Sequence, residues 1–346
     1  MDKRICFMGT PDFGAKILSA MIDGGFPPVL VVSQPDKPSG RGRKIKPTPV
    51  KEVALEAGIE VLQPESARKK SFIDWFEEQN FDLNVVVAYG QVLPPRLLDA
   101  PNLGSINVHT SLLPKWRGCA PIRWAILAGD ETTGISVQKM VRELDAGPLY
   151  ARKEVNIEEH DDVDTMFEKL ENLGVEVLME VLPKILADEL EPMPQEEWDE
   201  TYAHMLSKEH GKIDWTKTAT EIKNQVRALH IWPSITLVRP DGEEVKIHDV
   251  EIITQAHFHK TRKFVKDALN VNRDAQIIDR LRGKPGEVIF VSKTELWIAS
   301  GDENLSIKVI QPVGKNKMNI ADYLRGRSIE VGSIWLPKDF KKKGQQ

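Results

Sequence analysis

The sequence predicts an α/β protein: a Rossmann-like, mostly parallel sheet with helices on both faces, followed by a smaller β-barrel. Three observations predict it. Through the first half, short β-branched runs alternate with stretches of helical apolar spacing, the pattern of βαβ units. From Ser207 onward, short apolar runs recur between turn signals such as Pro240-Asp241-Gly242 and Gly301-Asp302, as in small antiparallel barrels. A length of 346 residues, 41% of them apolar, supplies two cores at about 150 residues per domain.

In chain order, strands are expected at Arg4–Met8, Val29–Ser33, Ile59–Leu62, Leu83–Ala88, Ser105–His109 and Ile135–Val141. After the first strand, Gly9-Thr10-Pro11-Asp12-Phe13-Gly14 lacks both the G-x-G-x-x-G arrangement and a Lys-Ser/Thr ending. It therefore reads as a tight strand-to-helix turn and as neither a dinucleotide fingerprint nor a P-loop. Phe13, Ile17, Leu18 and Met21 then fall at helical spacing, as do Ile73, Phe76 and their neighbours. Pro121–Ala128 is a helix with proline in its first turn. A long amphipathic helix from about Val163 to about Ala187 closes a domain at 1–188.

Residues 189–207 are acidic, contain proline and show no apolar periodicity, which marks a linker. The second domain, 208–346, has strands expected at Ile235–Val238, Val245–Ile253, Val288–Val291, Leu296–Ala299 and Leu305–Ile310. A basic insertion around 255–284 departs from a simple barrel.

Composition narrows the chemistry. Two cysteines, Cys6 and Cys119, make no disulfide framework and fit a reducing compartment, with buried, inert thiols the commoner fate. His257 and His259 lack partners at zinc-site spacing, so no metal is expected. The run Ile5–Met8 is too short for a signal-peptide core and no apolar stretch reaches bilayer length. A cytoplasmic protein with no membrane partner is expected, and a monomer.

The net charge of −5 is unevenly spread. Between Asp36 and Lys51 the chain carries Lys37, Arg41, Arg43, Lys44, Lys46 and Lys51 against Asp36 alone. Most charge runs are solvated surface. This one adds glycine and proline to cations suited to phosphates.

The stretch Gly104–Gly118 carries the most chemistry. Asn107 and His109 lie two apart at the end of a strand, so both point to one face while Ile106 and Val108 take the other. If that strand is parallel, its carboxyl end opens into the crevice where such sheets bind ligands. The bland alternative makes Asn107 a turn residue, His109 a hydrogen-bonded core histidine and Asp145 a turn aspartate.

Three blocks carry a resemblance. They are Val85–Pro94, then Asn107-x-His109 running into Ser111-Leu112-Leu113-Pro114-x-Trp116-Arg117-Gly118, then Gly134–Gly147 with Leu144-Asp145-Ala146-Gly147. In order and spacing they are similar to the folate-dependent formyltransferases, and within these to the branch acting on methionyl initiator tRNA. The resemblance implies formyl transfer from 10-formyltetrahydrofolate, with Asn107, His109 and Asp145 as catalytic residues and no covalent nucleophile. It implies a pterin slot walled by Ala88, Tyr89, Gly90, Gln91, Val92 and Leu93 together with Ser111, Leu112, Leu113 and Pro114. It implies that Lys37, Arg41, Arg43, Lys44 and Lys46 touch tRNA. It also implies an OB-like second domain, which starts with Lys212-Ile213-Asp214-Trp215 and Trp232-Pro233, tryptophans otherwise read as core. Formyltransferases of glycinamide ribonucleotide or amino sugars, and a formyltetrahydrofolate hydrolase, share the catalytic half. An RNA-binding protein without activity is the rival from another class.

Overall fold

The computed structural model describes residues 3–39, 44–196, 199–254 and 283–339. Arg41, Arg43 and nearly all of the basic insertion around 255–284 lie outside the described residues. The chain forms two compact units, Met1–Ile122 with Glu131–His204, and Arg123–Asp130 with Met205–Gln346.

The strands of the first unit are β1 (Ile5–Gly9), β2 (Leu30–Val32), β3 (Lys37–Ser39), β4 (Lys44–Lys46), β5 (Val61–Leu62), β6 (Leu83–Val87), β7 (Ser105–His109), β8 (Arg117–Gly118), β9 (Thr132–Lys139), β10 (Leu149–Asn156) and β11 (Tyr202–Ala203). Its helices are α1 (Asp12–Asp23), α2 (Pro49–Glu56), α3 (Lys70–Glu78), α4 (Pro95–Asp99) and α6 (Val163–Leu186); α5 (Pro121–Ala128) straddles the boundary between the units.

One sheet runs β10-β9-β7-β6-β1-β2-β5. The five strands from β7 to β5 are mutually parallel, whereas β9 is antiparallel to β7 and β10 to β9. The sheet is therefore mostly parallel with an antiparallel edge. The strand β10 escapes the sequence reading because Arg152, Lys153 and Glu154 along it are exposed and leave it without an apolar alternation, and charged edges blunt unwanted pairing.

Both faces of the sheet are covered. On one, Cys6, Met8, Leu30, Val32 and Val86 pack with Ile73 and Phe76 of α3 and Leu97 and Leu98 of α4. On the other, α1 buries Phe13, Ile17, Leu18 and Met21, the stripe set by its 3.6-residue period. There α6 comes close, since a Cβ on Gly174 would sit 3.0 Å from the Phe13 ring. The helix α6 starts at a capping box of Asp162 with Thr165.

The segment after α6, acidic and without periodicity, is tied into the first unit. Met193 bridges to Leu149, and β11 pairs in parallel with β8. Hydrogen bonds that no local period encodes decide its place.

The second unit contains α7 (Ala219–Leu229), β12 (Ile235–Val238), β13 (Glu244–Ile252), β14 (Val288–Val291), β15 (Leu296–Ala299), β16 (Asn304–Pro312), β17 (Met318–Asn319), α8 (Ile320–Leu324) and β18 (Leu336–Pro337). The antiparallel order is β14-β15-β16-β13-β12-β18. Register shifts between Ile247 and Val250 bend β13 against β16, as bulges do. Gly332 and Ser333 bond to Val288, and β18 then pairs with β12, so one chain segment draws the sheet edges together into a curled half-barrel. Trp215 is core at 6% exposure, but Trp232 is 44% exposed, which corrects its reading as core. No helix among the described residues is long and apolar enough to cross a membrane.

A half-buried histidine makes this unit sensitive to pH. Burial, with Lys317, His230 and Lys246 nearby, pushes the His248 imidazole down to about 4 despite a hydrogen bond to Gln311. The unfolded ring titrates near 6.5, so between these values the unfolded chain binds more protons. Stability is full above about pH 6.5 and falls as pH drops toward 4, by on the order of 2 kcal/mol after discounting for solvent screening. His248→Gln is expected to flatten this slope in urea melts recorded from pH 7 to 4.

Candidate active site

The strand β7 carries Asn107 and His109 to the carboxyl end of the parallel sheet, with Ile106 and Val108 buried on its other face at 0% and 3% exposure. Across the strand pair, Asn107 lies opposite Gln138 and His109 opposite Ser136. Four polar side chains thus gather on one face. Ser136 Oγ donates to Ser111 O at 2.7 Å and accepts from Leu113 N at 3.0 Å, fastening the loop after β7 to β9. Arg152 Nη1 donates to Leu113 O at 3.0 Å on the same loop, where the Leu113–Pro114 bond is cis.

His109 is 6% exposed, and its Nε2 lies 3.0 Å from the Trp116 carbonyl. A carbonyl only accepts, so the ring donates through Nε2. The other nitrogen, Nδ1, is 3.8 Å from Asp145 Oδ2. Asp145 itself has φ +50°, in the left-handed region. Its Oδ2 accepts from Gly118 N at 2.8 Å and its Oδ1 from Gln138 Nε2 at 2.8 Å. Two donors and a histidine therefore surround the carboxylate. Only glycine fits at 118, where φ is +118° and a Cβ would lie 2.6 Å from Ala203 O.

The segment after β6 alternates between exposed and buried residues. Ala88, Gly90 and Val92 are exposed, while Tyr89 and Leu93 join the core at 2% and 7% exposure. Burial, with Cys6 beside it, pushes the Tyr89 hydroxyl up to about 12. Gln91 Oε1 accepts from Ala67 N at 2.8 Å, which pins the turn. Tyr89 O accepts from Thr10 Oγ1 and Gln34 Nε2, at 2.9 and 3.0 Å. Among the described residues, the main-chain groups of Gly90, Gln91, Val92 and Leu93 make no backbone hydrogen bond. Of the loop after β7, Ser111, Leu113 and Pro114 are buried and Leu112 is half-buried.

The basic segment begins as a hairpin, β3 with β4, in which Lys37 lies directly opposite Lys46. Like charges facing each other across strands are destabilising. Its root is anchored: Lys51 Nζ contacts Asp36 at 2.6 Å and Gln63 Oε1 at 2.7 Å, and Gln63 Nε2 reaches Asp36 Oδ1 at 2.6 Å. The Lys51 ammonium, then the Gln63 amide, hold the Asp36 carboxyl below its usual range. Lys37 and Lys46 are exposed.

The sequence reading missed Ser136, Gln138 and Gln195. The first two had a signal, polar residues two apart in a strand expected to be buried. Gln195 had none, lying in a stretch with no period. Cys119 is exposed, not buried.

Comparison with known proteins adds the following. The Formyl transferase family matches residues 3–182, and the Formyl transferase C-terminal domain family matches residues 205–328. The methionyl-tRNA formyltransferase of Streptococcus sanguinis is 41% identical over 336 residues, 96% of this chain and 99% of the relative. That of Bacillus subtilis is 39% identical over 332 residues, 96% of this chain and 97% of the relative. Among solved structures, WlaRD, a sugar 3N-formyl transferase in the presence of dTDP and 5-N-formyl-THF, has a TM-score of 0.63 at 16% identity, covering 91% of this chain and 100% of its own. HypX from Aquifex aeolicus in complex with tetrahydrofolic acid has a TM-score of 0.56 at 16% identity, covering 94% of this chain and 47% of its own. These two share the fold.

Proposed function

Because this chain belongs to the formyl transferase family, we propose that it transfers a formyl group from 10-formyltetrahydrofolate to the α-amino group of methionyl initiator tRNA, acting as a cytoplasmic monomer without a metal. The observation that carries this reading is the grouping of Asn107, His109 and Asp145 at the carboxyl end of the parallel sheet.

The amine nitrogen attacks the formyl carbon, a C–N bond forms, and the carbonyl oxygen becomes an oxyanion. The Asn107 amide donates to that oxygen. His109, when protonated, supplies a second donor through Nδ1, the nitrogen not held by the Trp116 carbonyl, and Asp145 stabilises the positive ring. The amine's proton passes through water to Asp145 and on to the folate nitrogen as its bond to carbon breaks, leaving formylmethionyl-tRNA and tetrahydrofolate. Gln138 Oε1, buried without a hydrogen-bond partner among the described residues, offers an acceptor that a substrate N–H satisfies.

The main-chain groups of Gly90 to Leu93, which make no backbone hydrogen bond among the described residues, suit the amide-like edge of a pterin, with Ala88 and Ser111 to Pro114 as further walls. Tyr89 shapes the wall from the core side. The hairpin favours RNA over a small acceptor: a lysine pair facing itself across two strands is relieved by a polyanion.

The direct test supplies the purified chain with 10-formyltetrahydrofolate and, in separate reactions, methionyl initiator tRNA, methionyl elongator tRNA, an amino-sugar nucleotide and water alone. Formylation confined to the initiator tRNA is expected. Formate release, or formylation of the sugar, would overturn the assignment.

Replacing Arg41 and Arg43 with Ala is expected to weaken tRNA binding, leave folate binding intact, and make the salt dependence of tRNA affinity shallower by roughly one unit per lost phosphate contact. Affinities for both substrates measured across a salt series check it. Substitution around Arg262–Lys266 is the control and should act less.

A further inference from the structure

We propose that Gln195, from the segment between α6 and β11, is a positioning residue that fixes the turn presenting Asp145. Its Nε2 donates to the carbonyls of both Asp145 and Gly147, each at 2.7 Å. Its Oε1 accepts the fork of Arg117, from Nε at 3.2 Å and from Nη2 at 2.8 Å. This assigns the orientation of the amide, because arginine only donates and carbonyls only accept.

The grip matters because the turn is confined on every side. Asp145 is left-handed at φ +50°, a conformation that costs a residue bearing a Cβ and persists only where the surroundings hold it. A Cβ on Gly147 would overlap the Lys139 carbonyl, so the backbone there passes with no side chain. Gln195 clamps the carbonyls on both sides of Ala146, leaving the Asp145 carboxylate to meet Gly118 N, Gln138 and His109.

The same segment holds the other half of the site. Thr201 Oγ1 accepts from Trp116 N at 2.9 Å and Thr201 O accepts from Arg117 N at 2.9 Å. Arg117, 6% exposed, also reaches Glu200 at 2.6 Å. Trp116 gives its carbonyl to His109, and Gly118 gives its N–H to Asp145. Gln195, Glu200 and Thr201 therefore lace together the two loops whose relative placement sets the distance between His109 and Asp145. Gln195 is the member that touches the aspartate's own turn.

This inference rests on the proposed role of Asp145, and the test separates the two. Gln195→Glu keeps size and keeps a partner for Arg117 but sets an acceptor against two carbonyls; Gln195→Met removes all polar contacts at similar volume. Each is assayed for transfer from 10-formyltetrahydrofolate to methionyl initiator tRNA, alone and combined with Asp145→Asn. Either single variant is expected to lose roughly tenfold to a hundredfold in kcat per folded enzyme, since a displacement of about 1 Å costs on that order, with KM for both substrates changed less than about twofold.

In the Asp145→Asn background the further loss should shrink to less than about threefold, because a residue acting through Asp145 has nothing left to position. Normal kcat in both variants, losses that multiply in the double variants, or losses explained by unfolded protein would each overturn the proposal. An inactive wild-type chain would overturn the functional reading and this inference together.

Discussion

Replacing His109 with Ala is expected to lower kcat roughly a hundredfold to a thousandfold while KM for both substrates changes little. The reason is that its donor meets charge that develops only in the transition state. The site is built for this. The ring is buried, its Nε2 is held by the Trp116 carbonyl, and its Nδ1 faces a carboxylate 3.8 Å away. Truncation removes the donor and takes the ring away from Trp116 O and Asp145. Asn107→Ala should fall in the same range, since Asn107 lies two residues earlier on the same strand face. Steady-state kinetics on protein with an unchanged melting midpoint check both. Activity within a few-fold of wild type would assign His109 to the core and Asn107 to the strand end, the bland alternative.

Asp145→Asn is expected to cost roughly a hundredfold to ten-thousandfold in kcat, the range of a positioned acid or base, although the two side chains are nearly the same size. The neighbours explain why fold and activity should separate. Asp145 accepts from Gly118 N through Oδ2 and from Gln138 Nε2 through Oδ1. The new amide keeps Gly118 as donor to its oxygen, while its NH₂ meets Gln138, which satisfies it by turning its own amide to present Oε1. Geometry survives and charge does not. His109 then loses the partner for its positive form, and the amine's proton loses its acceptor. Folate binding measured by fluorescence titration should be unchanged. Full turnover would mean that the carboxylate only shapes its turn.

The sequence determined by itself whatever obeys a short period. Two-residue alternation placed Asn107 and His109 on one face, and the strands Ser105–His109, Ile235–Val238, Val288–Val291 and Leu296–Ala299 have the bounds expected from the sequence. Helical spacing marked Phe13, Ile17, Leu18 and Met21, which α1 buries. The helix α7 lies outside the elements read from the sequence, although Thr218-x-x-Glu221 forms its capping box and Ile222, Val226 and Leu229 are buried.

The tertiary structure alone decided the rest, because pairing between distant segments carries no local period. Nothing in the run Thr132–Lys139 says that it lies antiparallel to β7, yet that choice sets Gln138 opposite Asn107 and Ser136 opposite His109. Nothing near Asp145 requires φ +50°; Gln195, fifty residues further along the chain, holds the turn by two hydrogen bonds. An aperiodic, acidic stretch reads as a linker because its order comes from Arg117, Gly147 and Leu149 and not from its own apolar spacing. Side-chain direction along one strand is a property of local backbone geometry, whereas the distance between His109 and Asp145 is a property of which strands the sheet puts side by side.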